Sequence, residues 1–273
     1  MDKPCDRVPL SLLLAYSHYI GKHNFYRKWM IQTMYSSEQE YLNNYSIHHY
    51  DIPLLSIDIA IFTLIEGKLH ILLVERGDYP FKGVWALPGG FIDKQQDQDL
   101  HACALRKLTE KTGVTAPHLE QVETIGNQTR DPRGWSVTSL YMALIPYSPT
   151  SEFVEAVTDA RWWPYEQALE LDLAFDHHQL IETARARLKN KTAYTILPIH
   201  VLNTPFTLTQ LQQTFEELLE KRIEKKSFRR RILSADLLEE VGQGLPEGGL
   251  GRIAALYQPN SNCDKHTFVW SLT

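Results

Sequence analysis

Apolar residues recur at every second position across residues 54–76. Leu55, Ile57, Ile59 and Ile61 alternate with smaller or polar neighbours, Glu66-Gly67 marks a reversal, and Leu69, Ile71 and Leu73 alternate on the return. A period of two predicts a β-hairpin. Residues 77–96 are rich in Gly, Pro and Asp and predict a loop. Residues 97–112 predict a helix closed by Gly113 as C-cap. Strands follow at about 119–126 and 135–146, separated by the polar, turn-rich stretch NQTRDPRG. Trp162-Trp163-Pro164 leads into a short helix ending near Leu171. Leu180, Ile181, Ala184 and Leu188 share one face of a helix over about 177–190, for which Asp176 is the expected N-cap.

A second pattern begins near Pro198. Thr207 or Thr209, each followed three residues later by Gln, can cap a helix whose stripe is Leu208, Leu211, Phe215, Leu218 and Leu219. A break at Glu220–Lys226 follows, and Ser227 is expected to open a second helix with Phe228 and Ile232 facing inward. Arg229, Arg230 and Arg231 are left largely outward. Gly242, Gly244, Gly248, Gly249 and Gly251 then punctuate a two-stranded ribbon. Helix, turn, basic helix and glycine-tipped ribbon describe a winged helix-turn-helix. The expected organisation is an N-terminal extension (1–40), a first domain (41–191), the winged helix (192–260) and a tail (261–273). Residues 1–33 show no clean period and are read as preceding a true start near Met34, the alternative being an added helix at a dimer interface. SSEQEYL after them reads as a capped helix.

Composition narrows the function classes. The chain has 273 residues and a net charge of −5, so a nucleic-acid footprint must be local. From Lys221 to Arg231 seven basic residues stand against one acid, Glu224. Against an acidic background, this cluster points to DNA. A recognition helix carrying Lys225, Lys226, Ser227, Arg229, Arg230 and Arg231, with Arg252 on the wing, suits phosphates and base edges. The alternative is a solvated charged face. Cys5, Cys103 and Cys263 are scattered, which disfavours a disulfide framework or a zinc site and fits a reducing, cytoplasmic setting. No apolar run reaches the roughly 20 residues of a membrane span.

Residues 88–114 read PGGFIDKQQDQDLHACALRKLTEKTGV. Gly90, Arg106, Leu108, Glu110, Gly113 and Val114 follow the Nudix signature, with two residues added in the loop before the helix. The stretch therefore resembles a Nudix box. Resemblance implies an α/β (α+β) fold, the Nudix α/β/α sandwich with a mixed sheet. It also implies that three carboxylates on one helix face hold Mg²⁺ for attack on a diphosphate. Here those positions are Lys107, Glu110 and Lys111, and the face swings from −3 to +1. Such a face suits a diphosphate better than a divalent cation. No catalytic residue is therefore expected among Arg106, Lys107, Glu110 and Lys111, and no metal is required. The alternative is a Mg²⁺-dependent hydrolase of ADP-ribose or a similar compound, with Asp93, Asp97, Asp99 or Glu120 as substitute ligands.

Other residues suit a nucleotide diphosphate. Arg76, Arg130 and Arg133 offer guanidinium forks. Gly89 and Gly90 allow close approach, and Arg106, Lys107 and Lys111 add positive charge. Phe91 and Trp135 offer rings for stacking, although Phe81, Trp85 and Trp135 can equally be core aromatics. Phe175-Asp176-His177-His178 opens a helix, and His177 is a possible contact. A lysine-substituted box followed by a winged helix resembles the Nudix-related transcriptional regulators of the NrtR family, over roughly residues 40–258. That resemblance implies a homodimeric repressor of NAD synthesis and salvage genes. Operator DNA would be released when ADP-ribose or a related NAD-derived effector binds.

Overall fold

A computed structural model describes residues 35, 37–46, 51–113, 118–147, 159–244, 253–263 and 266–268, without the side chains of Lys111 and Thr112. Residues 1–33 and the expected start near Met34, together with Val114, Gly248, Gly249, Gly251 and Arg252, lie outside the described residues. The chain divides into two units, Met1–Ile52 and Pro53–Thr273. In the first, helix α1 (Glu38–Asn44) is capped by Ser37, whose hydroxyl accepts from the Glu40 amide at 3.1 Å.

The second unit begins with β1 (Leu54–Ile65), β2 (Lys68–Glu75), β3 (Trp85–Ala86), β4 (Gly89–Phe91) and α2 (Leu100–Thr112). Then come β5 (His118–Asn127), β6 (Ser136–Leu144), β7 (Asp159–Pro164), α3 (Tyr165–Leu169) and α4 (His177–Thr192). The hairpin forms as expected. Ile65 faces Lys68 across Glu66-Gly67, both at positive φ, as a two-residue turn needs to match strand twist.

The strands make a seven-stranded mixed sheet of order β3-β2-β1-β6-β5, with β4 added to β1 and β7 to β2. Strand β1 runs parallel to β6 and antiparallel to β2 and β4. Apolar residues alternate along β1 in sequence, yet the strand is buried on both faces from Ile57 to Thr63. Ile57, Ile59 and Ile61 pack with Cys103, Ala104 and Leu108 of α2. Ala60 and Phe62 pack with Leu180, Ile181, Ala184 and Leu188 of α4. Two helices on opposite faces of one sheet give the expected α/β/α sandwich.

Two local expectations are corrected. Residues 77–96 are not all loop, because β3 and β4 pair with β2 and β1. Strands of two and three residues are too short to show a period. Trp162-Trp163-Pro164 closes β7, which pairs antiparallel with β2, and leads into the expected short helix, which ends at Leu169. Asp176 stands at the N-cap of α4 but makes no side-chain cap bond; its carboxylate is drawn to Arg130 instead.

A 3₁₀ turn (Leu197–Val201) leads to β8 (Phe206–Thr207), α5 (Leu208–Leu219), α6 (Lys225–Ser234), β9 (Leu238–Gly244) and β10 (Ala254–Pro259). Thr207 and Gln210 form a reciprocal capping box, settling which threonine caps α5. Phe215, Phe228 and Ile232 are buried in a core shared with Tyr257 of β10. The ribbon gains a third strand, β8, so the order is β8-β10-β9. Helix α6 opens at Lys225 rather than Ser227, because the Glu224 carboxylate accepts from the Lys226 and Ser227 amides at 2.9 and 2.6 Å. This is the expected winged helix. Among the described residues no helix is long and apolar enough to cross a membrane.

Candidate functional site

A cleft of about 380 Å³ opens where β4 and the 128–135 loop meet the start of α4. Its floor is a buried polar network. Asp58 on β1 accepts from the Thr138 hydroxyl at 2.7 Å and from Arg130 at 3.4 Å. Arg130 also donates twice to Asp176, both at 3.0 Å, and once to Ser136. His177 Nδ1 accepts from the Leu87 amide at 2.9 Å, and its Nε2 lies 3.6 Å from Asp58. Accepting at Nδ1 leaves the proton on Nε2, facing the carboxylate. Burial holds the His177 pKa below its ordinary value against the opposing pull of Asp58, so the ring is neutral. The network fixes the first turn of α4 against the strand leading into the glycines.

The glycines permit this approach. A Cβ on Gly89 would lie 2.3 Å from the Ile57 carbonyl and 2.6 Å from Asp58. Gly90 has φ +147°, and a Cβ there would meet the Lys107 side chain at 3.2 Å. Across the mouth, Arg133 is held by Asp131 through Nε and Nη2 and lies over the Phe91 ring at 5.1 Å. Arg76 donates to the Pro80 carbonyl at 2.8 Å and lies 4.7 Å from the Phe175 ring centre. Burial, followed by repulsion from Arg133, lowers the Arg76 pKa. The cleft thus presents two guanidiniums flanked by aromatic faces.

Six of the candidate ligand residues line this cleft: Arg76, Gly89, Gly90, Phe91, Arg130 and Arg133. Arg130 does so with its guanidinium already held by protein oxygens. Arg106 does not line it. Its fork grips Asp97 at 2.6 and 2.7 Å and reaches Glu110 at 2.7 Å, so it ties the 93–97 loop to α2. The Asp97 carboxyl is held far below the usual range by that bond, while burial pushes the neighbouring Cys103 thiol up to about 11. Lys107 stands behind Gly90, with Nζ 3.4 Å from Glu110. The Lys111 side chain is outside the described residues. Trp135 is 51% exposed and its ring lies against Gly126, away from the cleft lining. Asp58 and Phe175 were not anticipated. An aspartate inside the apolar run LLSIDIAIF was the available signal for the first. Nothing in the local sequence marks the second.

On the winged helix, Lys225, Lys226 and Arg230 are exposed, and Ser227, Arg229 and Arg231 are half-buried. Arg229 is not simply outward, since it donates to the Thr209 hydroxyl at 3.2 Å. Strand β9 carries exposed Glu239 and Glu240, so among the described residues positive charge gathers on α6 rather than on the ribbon. The two sites are linked through two helices, α4 packing on α5, the first helix of the winged helix. While α4 starts in the cleft floor, Arg185 further along it donates to the Leu218 carbonyl at 2.9 Å and to Glu220 at 2.7 Å. Lys189 also reaches Glu220. Glu217 of α5 accepts from Lys68 and from the Leu69 amide of β2.

Residues 55–184 match the model of the NUDIX domain, and residues 198–258 match that of the NrtR DNA-binding winged helix domain. Fold and sites therefore define a class, a Nudix-fold module joined to a DNA-binding winged helix. The ADPR responsive transcriptional repressor NtrR of Acinetobacter baylyi is 50% identical over 228 residues, spanning 84% of this chain and 90% of that protein. This chain belongs to the NrtR family of Nudix-related transcriptional regulators. Shewanella oneidensis NrtR complexed with a 27mer DNA is similar at TM-score 0.75 and 45% identity, over 80% of this chain and 99% of that one. The NUDIX domain of the same protein complexed with ADP ribose is 49% identical, with TM-score 0.53, over 56% of this chain and 99% of that one.

Proposed function

We propose that this chain is a transcriptional repressor that binds operator DNA through α6, and that its Nudix domain holds ADP-ribose or a closely related NAD-derived nucleotide without cleaving it. The observation that carries this reading is one chain combining an arginine-lined cleft, a box whose Glu110 is committed to Arg106 and Lys107, and a basic helix linked to that cleft through α4 and α5. The relatives bound to DNA and to ADP ribose support it. In the cleft, Arg76 and Arg133 meet the diphosphate, and Lys107 adds charge behind the glycines.

The Nudix fold implies Mg²⁺, and the residues here do not fit it. Both Glu110 oxygens face cations, Arg106 and Lys107. Asp97 is held by Arg106, Asp99 caps α2, Asp93 binds the Gln95 amide and the Gln96 side chain, and Glu120 is held by Arg187 and Lys191. No hydrolytic step is derived for this site. Among the described residues, no three His, Cys, Asp or Glu side chains are grouped to hold a metal.

We further propose a homodimer acting on chromosomal DNA in the cytoplasm, with two α6 helices reaching half-sites about one turn, roughly 10 bp, apart. ADP-ribose lowers DNA affinity only as far as it favours the geometry that mismatches this spacing. Residues 41–191 and 192–260 serve as the effector and DNA-binding domains. The test captures sheared genomic DNA on the purified full chain, then adds ADP-ribose with Mg²⁺ or with EDTA. Release under both conditions without AMP formation is expected. Failure to capture DNA at low salt overturns the repressor reading, and release coupled to Mg²⁺-dependent AMP production overturns the non-hydrolytic one.

A further inference from the structure

Phe175 has a backbone that favours glycine. Its φ is +57°, in the left-handed region that a residue with a Cβ seldom adopts. The residues on either side impose this conformation. The Ala174 amide donates to the Trp85 carbonyl at 2.9 Å, Asp176 is held by the Arg130 fork, and His177 is fixed between the Leu87 amide and Asp58. Glycine or asparagine would meet the backbone requirement with less strain, so the benzyl group calls for its own explanation.

Its surroundings supply one. The Arg76 guanidinium carbon lies 4.7 Å from the ring centre and that of Arg133 lies 6.0 Å from it. Phe81 meets the ring edge-on at 4.8 Å, and His177 lies 5.3 Å away. The two arginines come from separate segments, one at the end of β2 and one in the 128–135 loop. Arg133 has Asp131 as its carboxylate partner. Among the described residues no carboxylate pairs with Arg76, whose bond is to a carbonyl. Two like charges share one cleft mouth, with the Phe175 ring near both and the Phe91 ring closer to Arg133, at 5.1 Å. Aromatic faces attract guanidinium groups and hold them in place.

We infer that Phe175 is the positioning residue of the cleft, its ring holding Arg76 and Arg133 so that both guanidiniums meet a single diphosphate. This rests on the reading that the cleft takes an ADP-ribose-like ligand. It adds the claim that selectivity for diphosphate over the bare nucleoside resides in a residue that need not touch the ligand.

The test uses the full chain and three probes in calorimetric titrations: ADP-ribose, inorganic pyrophosphate and adenosine. Phe175→Leu keeps the bulk and removes the aromatic face, while Phe175→Tyr keeps the face. The leucine variant is expected to lose about tenfold in affinity for ADP-ribose and pyrophosphate and to keep wild-type affinity for adenosine. The tyrosine variant should match wild type. In the Phe175→Leu, Arg76→Ala double variant the losses should not add, because both act on one contact. Retained DNA affinity in every variant reports that the fold is intact. Equal losses for adenosine and ADP-ribose, or additive losses in the double variant, would overturn the positioning role. Absence of ADP-ribose binding by the wild type would instead overturn the functional reading beneath it.

Discussion

Arg185 joins the effector side of the molecule to the DNA side, and its replacement by Met isolates that tie. The side chain is 8% exposed, and Glu220 opposite it is 55% exposed. Arg185→Met keeps the apolar stem and removes two donors, one to the Leu218 carbonyl and one to Glu220. Bonds involving a charged group contribute about 1.5–3 kcal/mol each when buried. The Glu220 bond is worth less than that, since its carboxylate is screened by water and shared with Lys189. Among the described residues Arg185 Nε is buried without a hydrogen-bond partner, and Met relieves that cost. The net loss expected for Arg185→Met is about 1–2 kcal/mol, against less than about 1 kcal/mol for Glu220→Gln.

The functional consequence is comparable in size to the change in stability. ADP-ribose affinity should stay within about twofold, because the cleft floor belongs to the first turn of α4. The factor by which saturating ADP-ribose weakens DNA binding should fall by up to about tenfold, a coupling loss near 1.4 kcal/mol. Fluorescence anisotropy on a captured operator fragment, with and without ligand, measures that factor, and urea midpoints measure stability. An unchanged coupling factor beside a lowered midpoint would show the tie to be structural only. A larger destabilisation from Glu220→Gln than from Arg185→Met would refute the reasoning from burial.

Phe228 is fully buried against the Phe215 ring at 5.4 Å. Phe228→Ala should cost about 3–5 kcal/mol in the winged helix, abolishing DNA binding while calorimetry finds ADP-ribose affinity intact. Replacing Arg229, Arg230 and Arg231 together by Ala should weaken DNA binding and flatten its dependence on salt, by about 0.9 in log–log slope for each phosphate that the helix no longer neutralises. An unchanged slope would place DNA elsewhere. Burial would raise the Glu120 carboxyl, but His118, Lys191 and Arg187 bring it down from 4.5 to about 2. A depressed carboxylate stabilises the fold above its unfolded pKa, so, once screening of this half-buried group is allowed for, about 1–2 kcal/mol should be lost as pH falls from about 4.5 to 2. Urea midpoints for wild type should drop across that window, and those of Glu120→Gln should drop less.

Much of this architecture is written in local pattern. The 54–76 alternation, the Glu66-Gly67 turn, the capped helix ending at Gly113 and the Thr207 capping box each depend on residues within a few positions, so a linear reading reaches them. The lysine at position 107 and the basic run after Glu220 are equally local and disclose the altered box and the DNA-facing helix. Contacts between distant segments are not legible in this way. The alternation along β1 gives no sign of the helices that cover both its faces. Strands β3 and β4 are too short to show a period. Asp176 looks like a cap until Arg130, 46 residues away in sequence, takes its carboxylate.

The same distinction governs the site. Sequence by itself determined which residue types were present: arginines, glycines, aromatics and too few free carboxylates. Only tertiary structure decided which of them meet. It turned Arg106 toward Asp97 and away from the cleft lining, surrounded Arg130 with acceptors, and left Trp135 against Gly126. It also brought Phe175, unmarked in the local sequence, beside Arg76 and Arg133. The physical reason is that a guanidinium goes where burial has concentrated carboxylates and aromatic faces, and those concentrations exist only once the sheet and its helices have packed.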